Sequence, residues 1–220
     1  MGHPSTGYLR TLFPDLFPSS GTSHCETCVL AKSHRQTFKP NNTRVDLPFS
    51  LIHSDVWGPA PIIGVQNFRF FVVFFDDCTR MTWVYFLKSK SEVIDKFIMF
   101  YAMIQTQFQK DIQISRSDNG GEFVNTPMKH FLETKGIIHQ TTCPHTPEQN
   151  GVAERKNRLL LEMTRALLIE SRVPKSFWPE ALATATYLIN RLPTRILKLK
   201  IPLQTLSEYI KLPSVLTLEP

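Results

Sequence analysis

The run FRFFVVFF at residues 68 to 75 constrains this chain more than any other stretch. Aromatic and branched side chains fill it without alternation, so a strand made from it presents apolar groups to both faces of a sheet and must be covered on both. Its apolar part falls far short of the roughly 20 residues that a membrane-crossing helix needs. The turn sequence DDCTR follows, and MTWVYFL at 81 to 87 returns as the hairpin partner. Asp76 and Asp77 are read there as turn acids that accept N–H groups.

LIHSDVW at 51 to 57 supplies an earlier strand. After the hairpin, Ser89 or Ser91 can cap a long helix whose apolar stripe is Val93, Ile94, Phe97, Ile98, Tyr101, Ile104 and Phe108. A strand at 112 to 117, a short helix at 126 to 135 stopped by Gly136, and a strand at 137 to 142 come next. The proline-broken loop CPHTPEQNG then leads into a second long helix, marked by Val152, Leu159, Leu160, Met163 and Leu167. Another helical stretch covers 177 to 191. The order β-β-β-α-β-α-β-α-α predicts an α/β fold, a mixed sheet flanked by helices.

The predicted organisation is a small module at 1 to 40, a linker at 41 to 50, a core at 47 to 205 and a tail at 206 to 220. Within the C-terminal part, RLPTRILKLK at 191 to 200 carries four basic residues and no acid, which suits a DNA-facing strip or a solvated tail. A hydrophobic content of 42% suffices for a real core, and 25 Lys and Arg against 19 Asp and Glu give a net charge of +6. That balance favours a polyanionic partner, nucleic acid first. No apolar signal-peptide core opens the chain, so a soluble intracellular protein, nuclear or cytoplasmic and not secreted, is expected. Cys78 and Cys143 fit a reducing compartment as small buried residues.

Three acids stand out. Asp55 lies on the first strand, Asp118 ends the fourth in SDNGGEF, and Glu154 opens the helix after the broken loop. If the fourth strand lies beside the first, the two aspartates become neighbours, and a helix packed on that edge can bring in Glu154. Converging carboxylates repel, and cations relieve them. Hard oxygen ligands suit Mg2+ or Mn2+, and two such ions can activate an attacking oxygen and stabilise a leaving one in phosphoryl transfer. Arg155, Lys156 and Arg158 follow Glu154 directly, where phosphates would pass.

HSDVWGP, SDNGGEF and TPEQNGVAERKNR, with 35 residues between Asp118 and Glu154 (119 to 153), closely resemble the integrase core of copia-type long-terminal-repeat retrotransposons. The resemblance runs from about residue 47 to 191. It implies an RNase H-like fold, a site in which Asp55, Asp118 and Glu154 ligate two Mg2+ or Mn2+ ions, and a homo-oligomer acting on double-stranded DNA. It also implies two reactions, hydrolytic trimming of the element's DNA ends and attack of their 3′-hydroxyls on target DNA. Gln149, Asn150 and Lys156 match positions beside the site that touch the DNA end, while Glu148 stands where relatives often have Gln.

At the N-terminal end, Cys25 and Cys28 with His3 supply three of the four ligands a structural zinc site needs. Copia-type relatives carry a His-His-Cys-Cys module ahead of the core. GHPS at 2 to 5 resembles its second histidine, so the chain is expected to begin inside that module, with His24 or His34 as substitutes. Two other readings stand beside the integrase. One is an RNase H-like nuclease cutting RNA in hybrids, which would want an acid on the first long helix, where Glu92 and Asp95 lie. The other is a catalytically impaired retrotransposon remnant that only binds nucleic acid.

Overall fold

A computed structural model of the chain describes residues 14–16, 45–142 and 151–212. Contacts divide the chain into two compact units, Met1–Asn42 and Thr43–Pro220, and the architecture below belongs to the second. His3, Cys25, Cys28, Gln149 and Asn150 lie outside the described residues, so the zinc-type module and the loop before Glu154 are left as expectations.

The described residues form a five-stranded sheet: β1 (Leu51–Trp57), β2 (Phe70–Asp76), β3 (Thr82–Leu87), β4 (Ile114–Ser117) and β5 (Ile138–Thr141), ordered β3-β2-β1-β4-β5. β1, β2 and β3 pair antiparallel, while β4 and β5 join parallel, so the sheet is mixed. Among the described residues, six helices accompany it: α1 (Val93–Met103), continued by a π-turn at Ile104–Phe108, α2 (Gly121–Val124), α3 (Thr126–Thr134), α4 (Gly151–Ser171), α5 (Trp178–Ile189) and α6 (Pro202–Ser207). None of the described helices is long and apolar enough to cross a membrane.

The period of two along β2 explains why its sequence does not alternate. Val72 and Phe74 enter one core with Phe97, Phe100, Ile104, Met128 and Leu132, while Phe71 and Val73 enter a second with Leu160, Trp178, Leu182 and Ala185. β2 is flanked by β3 and β1 and covered on both faces, as an unbroken apolar run requires.

Strands β4 and β5 are shorter than their apolar sequence suggested. Ile112 and Ile137 are buried just ahead of them, serving the core without joining the ladder. The expected stripe of α1 misses Phe100, which is fully buried, and includes Ile98, which is 39% exposed. The basic stretch 191 to 200 is folded: Arg195–Leu197 makes a 3-10 turn, Thr194 bridges Lys200, and Lys200 Nζ pairs with Glu208 Oε1 at 2.7 Å. Helix α6 then buries Leu206 completely, so apolar packing continues across the boundary expected between core and tail.

The hairpin acids hold the entry of the chain into β1. Asp76 accepts the Phe49 N–H at 2.8 Å and both the N–H and hydroxyl of Thr79 at 2.8 and 2.7 Å. That first bond helps fix Phe49, a fully buried ring on a backbone with φ of 66°, a conformation that a bulky residue keeps only when its surroundings over-determine it. Asp77 faces His53 Nε2 at 3.2 Å and Arg80 at 3.1 Å, and takes the Val45 N–H. Burial works to raise the Asp77 pKa, but these three partners together hold it below the ordinary value.

Candidate active site

The parallel seam between β1 and β4 sets the position of two acids. His53 pairs with Arg116, so Asp55, two residues further along β1, stands level with Asp118, two residues further along the other chain segment and just beyond the end of β4. Asp118 caps its own turn, with Oδ1 accepting the Gly120 N–H at 3.0 Å. A Cβ on Gly120 would lie 2.9 Å from that oxygen and 2.9 Å from the Glu122 carboxylate, so a larger residue there must displace one of these two side chains. Lys90 holds the other oxygen of Glu122 at 2.6 Å.

Helix α4 crosses the same face of the sheet, because Ala153, Asn157, Leu160 and Thr164 form a buried stripe at helical spacing. Two of those four are polar, and each has a partner. Thr164 donates back to the Leu160 carbonyl, and Asn157 Nδ2 donates to Asp55 Oδ2 at 2.8 Å. Asp55 Oδ1 takes the Val56 N–H at 3.0 Å, so both oxygens of this carboxylate are oriented. Sequence reasoning did not single out Asn157. The signal was present, since a polar residue three positions after Glu154 falls on the core-facing stripe.

Burial, then the charge of Asp118 and more weakly that of Glu154, push the Asp55 pKa up to about 7, against the two hydrogen bonds. Glu154 lies exposed in the first turn of α4 and lines one groove with Asp55. Among the described residues, no three His, Cys, Asp or Glu side chains are gathered closely enough to grip one ion. The structure thus brings Asp55 and Asp118 to one level, with Glu154 on the adjacent groove wall and not drawn in to them. The donor chemistry fits a hard divalent cation, because burial first and neighbouring negative charge second destabilise the Asp55 carboxylate as an anion.

The basic residues after Glu154 separate. Arg155 and Arg158 are exposed, whereas Lys156 turns inward, with Nζ 5.7 Å from the centre of the Phe75 ring. Burial first, then the Arg80 charge, push its pKa down to about 8. The Phe75 ring also stacks with His53, 4.7 Å between centres at 4°. Burial holds His53 below its ordinary pKa despite its bond to Asp77.

A mixed sheet in this order, with helices on both faces, one acid on β1 and another just beyond the end of β4, has the architecture of an RNase H-like core. The integrase core domain family matches residues 45–147. The chain is 44% identical over 211 residues to the retrovirus-related Pol polyprotein from transposon RE2 of Arabidopsis thaliana, covering 94% of this chain and 14% of that protein. It is 40% identical over 206 residues to the corresponding polyprotein from transposon TNT 1-94 of Nicotiana tabacum, covering 92% and 16%. Residues 45–147 thus match an integrase core domain, and nearly the whole chain is similar to a segment of copia-type retrotransposon Pol polyproteins. It spans about a seventh of the length of the first of these relatives.

Solved structures share the fold. The simian T-cell lymphotropic virus intasome in complex with the PP2A regulatory subunit B56 gamma has a chain that aligns with a TM-score of 0.67 at 18% identity, covering 91% of this chain and 74% of that one. The HTLV-2 integrase catalytic core domain in complex with magnesium, in its trimeric form, aligns at 0.55 and 20% identity, covering 72% and 97%.

Proposed function

We propose that the chain is the catalytic core of a DNA integrase, a polynucleotidyl transferase that trims the ends of retrotransposon DNA and joins them to target DNA. The observation that carries this reading is the β1–β4 register, which extended by two residues sets Asp55 level with Asp118, beside a groove that also contains Glu154. Asp55, Asp118 and Glu154 would hold two Mg2+ or Mn2+ ions, and the bound ions would supply charge neutralisation at the attacking and leaving oxygens. Asn157 and the Val56 N–H orient the Asp55 oxygens toward that role. The HTLV-2 core of the same fold, solved in complex with magnesium, supports this assignment.

In trimming, a water oxygen attacks a phosphorus atom, the bond from phosphorus to the 3′-oxygen breaks, and that oxygen takes up a proton. In joining, the freed 3′-hydroxyl loses its proton as it attacks a target-strand phosphorus, and the target's 3′-oxygen leaves. The net charge of +6, together with exposed Arg155 and Arg158, supports double-stranded DNA as the substrate, with Gln149 and Asn150 completing the approach and Lys156 reaching it only by turning outward. Action in the nucleus or cytoplasm and assembly as a homo-oligomer belong to the same reading, and the intasome and trimeric neighbours support the assembly. A zinc ion held by His3, Cys25 and Cys28 would serve the N-terminal module and not the reaction.

A joining assay with labelled element-end DNA and a supercoiled target in Mg2+ or Mn2+ tests the reading. Wild type is expected to form joined products and Glu154→Gln to form none. Cleavage of RNA in a hybrid without DNA joining would favour the nuclease instead, and activity in neither assay would favour the nucleic-acid-binding remnant.

A further inference from the structure

The Asp118 carboxylate is only as well placed as the backbone that carries it, and that backbone is held from the sheet face opposite α4. Side chains alternate along a strand, so Ile52 on β1 points into the core beneath α1, away from Asp55. Ser115 on β4 pairs with Ile52, and His139 on β5 pairs with Ser115. Ser115, Ser117 and His139 therefore share the face turned away from α4. Ser117 is fully buried there and His139 is half-buried.

His139 Nε2 lies 2.9 Å from Ser117 Oγ, and Ser117 Oγ donates to the Asp118 carbonyl, also at 2.9 Å. A hydroxyl has one proton to give, and a carbonyl can only accept. The serine proton is thus committed to Asp118, and the imidazole must donate from Nε2. Burial holds the His139 pKa below its ordinary value, which suits a neutral ring with its single N–H at that nitrogen.

A second tether lies close by. Thr142, just past β5, donates its N–H to the Ser117 carbonyl at 3.3 Å and accepts Asn119 Nδ2 at 2.5 Å. The residues before and after Asp118 are both fastened to the β5 segment. Holding the Asp118 carbonyl fixes the direction in which the turn leaves β4, and with it the meeting of the Gly120 N–H with Asp118 Oδ1.

We propose that His139 is a positioning residue for the Asp118 carboxylate, acting through Ser117: its Nε2–H holds the serine hydroxyl, the hydroxyl holds the Asp118 carbonyl, and the turn is set before an ion arrives. The proposal rests on the integrase reading, in which Asp118 ligates a divalent cation, and adds to it a residue from the edge strand on the opposite face.

The test is calorimetric titration of the full chain with Mn2+, without DNA, beside melting temperatures. His139→Leu, which removes the donor, and Ser117→Ala, which removes the link, are each expected to weaken Mn2+ binding about tenfold. His139→Gln, whose amide N–H can reach the same hydroxyl, is expected to bind within about twofold of wild type. The double variant is expected to bind no more weakly than either single one, because both cut one chain of bonds. NMR of the ring nitrogens is expected to find the His139 proton on Nε2. Wild-type affinity in Ser117→Ala, a glutamine variant as weak as the leucine one, losses that multiply in the double variant, or a neutral ring protonated at Nδ1 overturns the relay while wild type still binds Mn2+ and joins DNA. Should His139→Leu fail to fold, Ser117→Ala and the ring NMR decide. A wild-type chain that neither binds Mn2+ nor joins DNA overturns the integrase reading along with it.

Discussion

Asn157 donates to Asp55 from a helix position that periodicity would assign to an apolar side chain. Replacing it with alanine removes the donor and leaves Asp55 held on one side only. Loss of a buried hydrogen bond to a charged group costs about 1–3 kcal/mol. Thermal melting of Asn157→Ala is expected to fall by a few degrees, while joining activity falls much further, about a hundredfold, because the carboxylate loses its orientation. Equal losses of stability and activity would make Asn157 a packing residue only. Lys156 gives a separate test by pH. In the unfolded chain its amine holds a proton up to the ordinary value of 10.5, but in the folded chain burial releases it near 8. Between those values the unfolded state binds more protons, so stability rises with pH across that window. The urea midpoint of wild type is expected to climb, relative to that of Lys156→Met, as pH goes from 8 to 9.5, and parallel curves would contradict the buried placement. The elements that carry Asp55, Asp118 and Glu154 were legible in the sequence, because each acid falls in a recognisable motif, on a strand, just past a strand end and at a helix start. The inward turn of Lys156 was not, since a basic run reads the same whether its members face water or a ring.

At the scale of elements, the turn after β4 makes the sharpest case. The two glycines of SDNGGEF differ in the structure. Gly120 has an ordinary φ of −57°, so it is required by space and not by backbone conformation. Gly121 has nothing within 4 Å of where a Cβ would stand. Gly120→Ala must push the Asp118 or Glu122 carboxylate aside, and is expected to lose about a hundredfold in DNA joining with a nearly unchanged melting temperature. Gly121→Ala is expected to retain both. Similar activities for the two variants, measured in one joining assay, would contradict the crowding at Gly120. The strand order was legible for a related reason: a run as apolar as that of β2 has to lie inside a sheet, and a parallel crossover places β4 beside β1. The lengths of β4 and β5 were not legible, because Ile112 and Ile137 look alike to a strand and to a core.

For the whole molecule, two cores separated by the sheet leave the catalytic face on the side of α4 and α5. This arrangement ties the acids to three different elements, β1, the turn after β4, and α4, so the distance between Glu154 and the aspartates depends on how α4 starts. The resemblance, spacing included, pointed to that helix as a partner of the site, yet it carries no information on how far the first turn closes over the seam. The basic stretch 191 to 200 teaches the same lesson: charge counting could not separate a DNA-facing strip from a folded segment, whereas the Lys200 pair with Glu208 and the burial of Leu206 show a segment tied into the protein. Anomalous scattering from crystals of the chain soaked in Mn2+ tests the three-acid arrangement most directly. Peaks are expected against the Asp55 and Asp118 carboxylates, with Glu154 drawn in to share a metal, and both should vanish in Asp118→Asn. Manganese bound elsewhere, or held at the aspartates with Glu154 still on the far groove wall in a crystal that joins no DNA, would contradict it.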